Sequence, residues 1–207
     1  MLPLSLSVKP GAWRLFTMRK ADPAFRKFQT KVLERDNYTC QFCGFQAKDY
    51  QEVVNVDNNY QHNKLSNMAT ACCFCTQCFF LEAVGAGDYG GGTLVYLPEI
   101  SQGELNSFCH VIFCAITNDT GYKASAQSLY RSLKFRSQVI EKKFTEGAEQ
   151  PAMFGQLLID AGLKDEEISK ILKDLRLLPS RAKFRKQIEH WAASALEALA
   201  ENTEDKE

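Results

Sequence analysis

The first hundred residues show short apolar patterns that are typical of strands, together with one helix ahead of the cysteines. Residues 2–8 alternate between apolar and polar or small side chains, which predicts an N-terminal strand. A helix is predicted over residues 22–36, because Asp22 is a good N-cap and a proline follows it. Apolar and β-branched runs at 52–57 and 93–97 predict two further strands.

Beyond residue 100 the pattern becomes helical. Ser101 and Glu104 have the spacing of a capping box, and apolar residues then recur on one face of a helix. Capping residues and apolar periodicity predict four more helices, over 123–144, 151–162, 165–177 and 180–201. The first of these four contains six basic residues and one acidic residue, a pattern that is typical of a solvated helix face.

Composition and charge narrow the class of protein. The chain has 207 residues, of which 45% are hydrophobic and 24% charged, as in an ordinary globular protein. Its formal net charge is zero, so no global positive field attracts it to nucleic acid or to an anionic membrane. Apolar runs fall far short of the roughly 20 residues of a membrane-spanning helix, and the N-terminus lacks the features of a secretory signal. We therefore expect a cytoplasmic protein that does not enter the membrane.

The eight cysteines are the strongest chemical signal in the chain. Six of them lie between Cys40 and Cys78. Disulfide frameworks are rare in a reducing compartment, so cysteines clustered at these spacings predict a metal site instead. Zinc prefers four thiolate or imidazole ligands, and a Cys-x-x-Cys turn supplies two of them. Cys40 and Cys43 form the first pair, and the spacing leaves two choices for the second, Cys72 with Cys75 or Cys75 with Cys78.

The segment around the first pair resembles a known family. Residues 35–44, Arg-Asp-Asn-Tyr-Thr-Cys-Gln-Phe-Cys-Gly, resemble the opening of HNH-type domains, in which a zinc knuckle precedes a ββα-metal nuclease motif. In that family the second pair begins five residues after an Asn, as Cys72 follows Asn67 here. The resemblance implies one structural zinc ion per chain, with these ligands: Cys40, Cys43, Cys72 and Cys75. It leaves Cys73 and Cys78 as small core residues.

The catalytic residues of an HNH nuclease do not match. The family's strand ends in Asp-His, whereas this chain has Asp57-Asn58, and an amide cannot act as a general base. Thr76 and Gln77 occupy the positions of the family's later metal ligands, and His62 is the only histidine in the segment. We therefore predict no catalytic residues and no enzyme activity. The alternative is an HNH-type metal-dependent nuclease acting on DNA, which requires an open metal position and a basic groove.

Over its full length the chain resembles the DotN (IcmJ) family of the Dot/Icm type IVB secretion system. The resemblance lies in the start, Met-Leu-Pro-Leu-Ser-Leu-Ser-Val-Lys-Pro, in the cysteine region and in the helical second half. It implies a zinc-containing adaptor of the coupling protein complex. Such an adaptor is cytoplasmic, and its partner places it at the inner-membrane face. The implied partners are the C-terminal tail of the coupling ATPase DotL and the IcmS/IcmW adaptor. The resemblance also implies a role in effector recruitment. We expect no nucleic-acid partner.

Together these features predict an α+β fold that is mainly α. We expect an HNH-like, treble-clef type zinc-binding lobe over residues 1–100 and a helical lobe over residues 101–207.

Overall fold

The computed structural model describes the backbone of residues 1–204 and the side chains of residues 1–200. The fold is α+β and mainly α, as predicted. The helices of the described part are α1 (Ala12–Ala21), α2 (Pro23–Arg35), α3 (Cys73–Thr76), α4 (Gln102–Thr117), α5 (Lys123–Phe135), α6 (Gln138–Lys143), α7 (Pro151–Asp160), α8 (Asp165–Leu172) and α9 (Arg185–Glu204). The strands are β1 (Gln51–Asn55), β2 (Met68–Cys72), β3 (Gly92–Tyr96) and β4 (Leu175–Pro179). None of the described helices combines the length and the apolar character needed to cross a bilayer.

The strands form two small antiparallel sheets. In the first, β1 pairs with β2, with Gln51 opposite Cys72 and Asn55 opposite Met68. In the second, β3 pairs with β4, with Gly92 opposite Pro179. The second sheet therefore joins two segments that lie far apart in the chain, one in each predicted lobe.

The predicted N-terminal strand over residues 2–8 is wrong as a strand, although its alternation is visible in burial. Leu6 and Val8 are buried, as core-facing positions should be. The backbone bonds to turns instead of to a neighbouring strand: the Leu2 N–H donates to the Gln41 carbonyl at 2.7 Å and the Ser7 N–H to the Cys78 carbonyl at 2.9 Å. The segment thus lies extended across the cysteine region without joining a sheet.

Helix boundaries in the second half differ from the prediction in three places. The predicted helix over 123–144 is interrupted after Phe135 and forms α5 and α6. The helix predicted over 165–177 ends at Leu172, because the following residues pair with β3 as strand β4. The last helix begins at Arg185, after a turn. By contrast, Asp22 caps α2 and the Ser101–Glu104 capping box starts α4, as predicted.

The main hydrophobic core contains residues from both predicted lobes. Its largest buried side chains include Phe16, Phe74, Phe80, Leu105, Phe113 and Phe184. A second cluster likewise combines Leu81 and Leu94 with Phe154 and Leu177. The division into residues 1–100 and 101–207 stays a prediction, with residues 205–207 outside the described part.

Helix α4 begins in direct contact with the first cysteine pair. A Cβ atom placed on Gly103, in the first turn of α4, would lie 2.4 Å from the carbonyl oxygen of Phe42, between Cys40 and Cys43. Since that oxygen belongs to the backbone, neither group can move aside without displacing the turn. Only glycine allows this close approach.

We expect Gly103→Ala to lower the free energy of unfolding by about 1–3 kcal/mol, the usual cost of overpacking. The sign of this change distinguishes a clash from helix propensity, because alanine is otherwise favoured over glycine inside a helix by about 1 kcal/mol. Gly121→Ala is the matched control, since no atom lies within 4 Å of its added Cβ. Urea unfolding measures both variants, and equal midpoints for Gly103→Ala and the native chain would contradict the clash.

Candidate metal centre

The first cysteine pair lies in a tight turn after α2. The N–H of Cys40 donates to the carbonyl of Phe45 at 2.8 Å, and the N–H of Gly44 donates to the carbonyl of Cys40 at 2.9 Å. Gly44 has φ of 77°, in the left-handed region that glycine adopts without strain. The turn therefore brings the sulfurs of Cys40 and Cys43 to one side, as in a zinc knuckle.

Polar contacts hold this turn against strand β2. A carboxylate oxygen of Asp36 accepts the N–H of Thr70 at 2.9 Å, and the guanidinium of Arg35 donates to the carbonyl of Met68 at 2.7 Å. The N–H of Gln41, inside the turn, donates to the carbonyl of Thr70 at 2.9 Å. The residues that carry the HNH resemblance thus have a structural task, which is to place the first pair beside the end of β2.

The second pair lies where β2 passes into the short helix α3. Cys72 is the last residue of β2 and Cys75 lies in α3, so their sulfurs are about one helical turn apart along the chain. The hydroxyl of Thr76 donates to the carbonyl of Cys72 at 3.0 Å and stabilises this transition. Both cysteines are fully buried.

The structure brings together the four predicted residues. The sulfurs of Cys40, Cys43, Cys72 and Cys75 all lie within 4.8 Å of one another, and the sulfurs of Cys43 and Cys72 are 3.7 Å apart. A tetrahedral ion with bonds of about 2.3 Å to sulfur requires separations of roughly 3.8 Å. All eight cysteines are free thiols. The group therefore fits a metal ion in both geometry and donor chemistry, and could hold one.

The remaining cysteines lie outside this group. The thiol of Cys78 donates to the carbonyl of Phe74 at 3.4 Å, and its side chain belongs to the second core cluster. Cys109 is buried in α4, while Cys73 and Cys114 are half-buried. The spacing left Cys75 with Cys78 open as the second pair; in the structure Cys72 and Cys75 belong to the group of four sulfurs and Cys78 does not.

The electrostatics of the group favour a bound cation. Burial raises the pKa of Cys72 and Cys75 well above the ordinary thiol value, and donation to the Cys40 sulfur adds to the effect. Burial opposes ionisation of Cys40 too, but hydrogen bonds from Cys43, Cys72 and Cys75 bring its pKa below the usual range. Four thiolates in this space require a positive ion among them.

A buried polar chain leads from the centre to the second sheet. The side-chain amide of Asn106 donates to the Cys75 sulfur at 3.2 Å, and its oxygen accepts from the amide of Gln102 at 2.9 Å. The oxygen of Gln102 accepts the N–H of Leu177, in β4, at 2.8 Å. Both Asn106 and Gln102 are buried. Such groups orient metal ligands and stabilise the charge on their sulfurs.

His110 supports the opposite side of the centre. Its Nε2 lies 3.3 Å from the Cys72 sulfur, and its ring stacks between Phe45 and Phe74 at centroid distances of 3.6 and 4.3 Å. Burial lowers the pKa of His110 to about 3, so the imidazole is neutral and can donate one N–H to the sulfur.

Sequence reasoning missed both Asn106 and His110. The two residues lie four positions apart on a predicted helix, and residues at this spacing share one face. This spacing was the available indication that both side chains lie on the same side of α4.

Comparison with known proteins identifies the family. No family model matches the chain. The type 4 apparatus protein DotN of Legionella pneumophila subsp. pneumophila (strain Philadelphia 1) is 65% identical over 199 residues, which span 96% of this chain and 93% of the relative. The chain belongs to the DotN family. The full-length resemblance seen in the sequence is thereby confirmed.

In this DotN-family protein the first nuclease position is a polar turn. Asn58 follows Asp57 with φ of 56°, and its amide donates to the Ser7 hydroxyl. His62 lies with its Nδ1 2.7 Å from a carboxylate oxygen of Asp57, and both side chains are 40% exposed. Burial raises the pKa of Asp57, but hydrogen bonds from His62 and Asn67 outweigh it and bring the pKa to about 2.

The second nuclease position is closed to solvent. Thr76 and Gln77 are 1% and 0% exposed. Their side-chain oxygens are engaged internally, Thr76 with the Cys72 carbonyl and Gln77 with the N–H of Gly91.

We expect the DotN-family chain to bind one metal ion through the four clustered cysteines. Cys40→Ser and Cys72→Ser should each lose the metal and melt at a much lower temperature, because binding at such sites supplies on the order of 10–16 kcal/mol. Cys78→Ser is the control and should retain the metal, since Cys78 lies outside the group. Elemental analysis and thermal melting measure both effects. Full metal occupancy in Cys72→Ser, or its loss in Cys78→Ser, would show that the other pair holds the ion.

We also expect Asn106→Ala to weaken metal binding about 10- to 100-fold, as is usual when a partner of a metal ligand is removed. Asn118→Ala is a matched control, because the amide of Asn118 lies 3.6 Å from the sulfur of Cys114, which is not in the group. Competition with a chromophoric chelator gives both affinities. If the two variants release the metal equally, the Asn106 contact has no specific role.

Proposed function

We propose that this chain is a non-catalytic, zinc-stabilised adaptor subunit of a type IVB secretion coupling complex. It binds the C-terminal tail of the coupling ATPase DotL, alongside the IcmS/IcmW adaptor, and supports effector recruitment. It does so in the cytoplasm, at the inner-membrane face through its partner. One observation carries the proposal: the chain is 65% identical to a type 4 apparatus protein over 96% of its length.

Zinc is the ion that best suits the cysteine group. Four cysteine sulfurs in a tetrahedral arrangement select zinc over cations that prefer oxygen ligands. When four protein ligands fill the coordination sphere, no position is left for water or substrate. A site of this kind stabilises the fold and supplies no reactive metal.

The nuclease positions support a non-catalytic role. Asn58 stands where a general base is needed, and its amide is engaged with Ser7. Thr76 and Gln77 are buried, so they offer no second ligand. The Asp57–His62 pair is therefore an exposed contact without the further ligands of an HNH nuclease.

Exposed aromatic side chains support a protein-binding role. Tyr122 is 77% exposed and Phe135 67%, whereas Phe154 and Phe184 are buried in the core. Phe108 and Phe144 are also exposed. Aromatic residues at a surface are frequent anchors of protein interfaces.

We expect the DotL tail to bind the zinc-loaded chain in a calorimetric titration, with a negative heat-capacity change from burial of apolar surface. Cys72→Ser should weaken binding at least tenfold. The reason is that α4 contacts the metal centre through Asn106 and packs against α5, the helix that ends at the exposed Phe135. Cys114→Ser, which changes a half-buried thiol outside the group, should bind as the native chain does.

Absence of binding by the zinc-loaded native chain at several hundred micromolar tail peptide would overturn the proposed partner. Equal binding by Cys72→Ser and the native chain would show that the metal centre does not support the binding surface.

A further inference from the structure

We propose that a groove between α5 and α9 docks an acidic segment of a partner protein. The groove, called the α5–α9 groove below, has a volume of about 720 Å³, and the turn before α9 contributes to its lining. Four basic residues line it: Lys123, Lys134, Arg181 and Arg185. This surface is additional to the proposed function and does not depend on the identity of the tail partner.

The charge of the groove is positive although the chain as a whole is neutral. Among the residues that line it, Glu189 is the one acid, and it pairs with Arg185 at 2.7 Å. Lys123 pairs with Asp119 at 2.9 Å. Within the described residues, Lys134 and Arg181 form no ion pair. Two cations on different elements thus face the same concave surface without a counter-charge.

The dimensions suit a short extended peptide. Lys123 and Lys134 lie eleven positions apart on α5, which corresponds to about 16 Å along a helix axis. An extended chain covers this distance with about five residues. Carboxylates on such a segment can reach both the α5 lysines and Arg181, whose guanidinium can bind a carboxylate in a bidentate manner.

An apolar anchor adjoins the cations. Phe135 is 67% exposed and, together with Arg131 and Lys134, lines a second shallow pocket of about 340 Å³. Lys134 lines both surfaces, so the two adjoin at this residue. This arrangement fits a segment in which carboxylates flank one aromatic or aliphatic side chain.

A peptide fits these features better than a nucleic acid does. Affinity for nucleic acid comes from many phosphate contacts along an extended basic track. Here two of the four lining cations are already paired with carboxylates and the net charge of the chain is zero. The groove offers a few charges and an apolar pocket, which is the chemistry of a short acidic motif.

Fluorescence anisotropy on the full, metal-loaded chain tests the proposal. The probe is a labelled six-residue peptide with five glutamates and one phenylalanine, at 150 mM salt. We expect saturable binding that weakens as salt is raised, and weakens at least tenfold in Lys134→Glu/Arg181→Glu. The matched control is Lys27→Glu/Lys31→Glu, which makes the same charge change on exposed residues of α2 and should bind as the native chain does.

Each other outcome overturns the proposal. No binding at 1 mM peptide would mean that the groove does not accept acidic segments. Equal loss in the two double variants would show an effect of net charge alone. Tighter binding of a labelled twelve-nucleotide strand than of the peptide would assign the groove to nucleic acid. Circular dichroism melting verifies that both double variants are folded.

Discussion

The central constraint in this protein is a group of four buried sulfurs within 4.8 Å of one another, which cannot all be ionised together without a cation. Where a metal ion supplies that charge, the binding free energy is on the order of 10–16 kcal/mol, comparable to the whole stability of a domain. The knuckle around Cys40, the end of β2 and the start of α3 meet at these sulfurs, and hydrogen bonds from Asp36, Arg35 and Gln41 to β2 support the same arrangement. The first part of the chain is therefore organised around the cysteine group, and its apolar residues pack around these sulfurs.

The second half is attached to that centre by direct contacts. Helix α4 places Gly103 against the knuckle backbone, Asn106 against Cys75 and His110 against Cys72. From Asn106 the contacts continue through Gln102 to β4. Because Asn106 and Gln102 are buried and hydrogen-bonded to each other, the cysteine group and the helices share one connected interior.

The surface carries two features that the overall composition does not reveal, a basic groove and the exposed Asp57–His62 pair. A net charge of zero hides a local excess of cations on α5 and in the turn before α9. Asp57 and His62, which contact each other on a different loop, are both exposed to solvent.

The sequence alone determined the features that arise from local interactions. The first cysteine pair, the capping of α2 by Asp22 and the capping box of α4 depend on residues a few positions apart, so their spacing could be recognised directly. For the second pair, spacing left two choices, and the resemblance to HNH-type domains selected Cys72 and Cys75. The tertiary structure decided what depends on distant partners. Residues 175–179 form a strand because β3 pairs with them, the segment 2–8 bonds to turns instead of a sheet, and Asn106 and His110 acquire roles only through the sulfurs they contact. No local pattern encodes these pairings, because the energy that selects them comes from groups brought together only when the chain is folded.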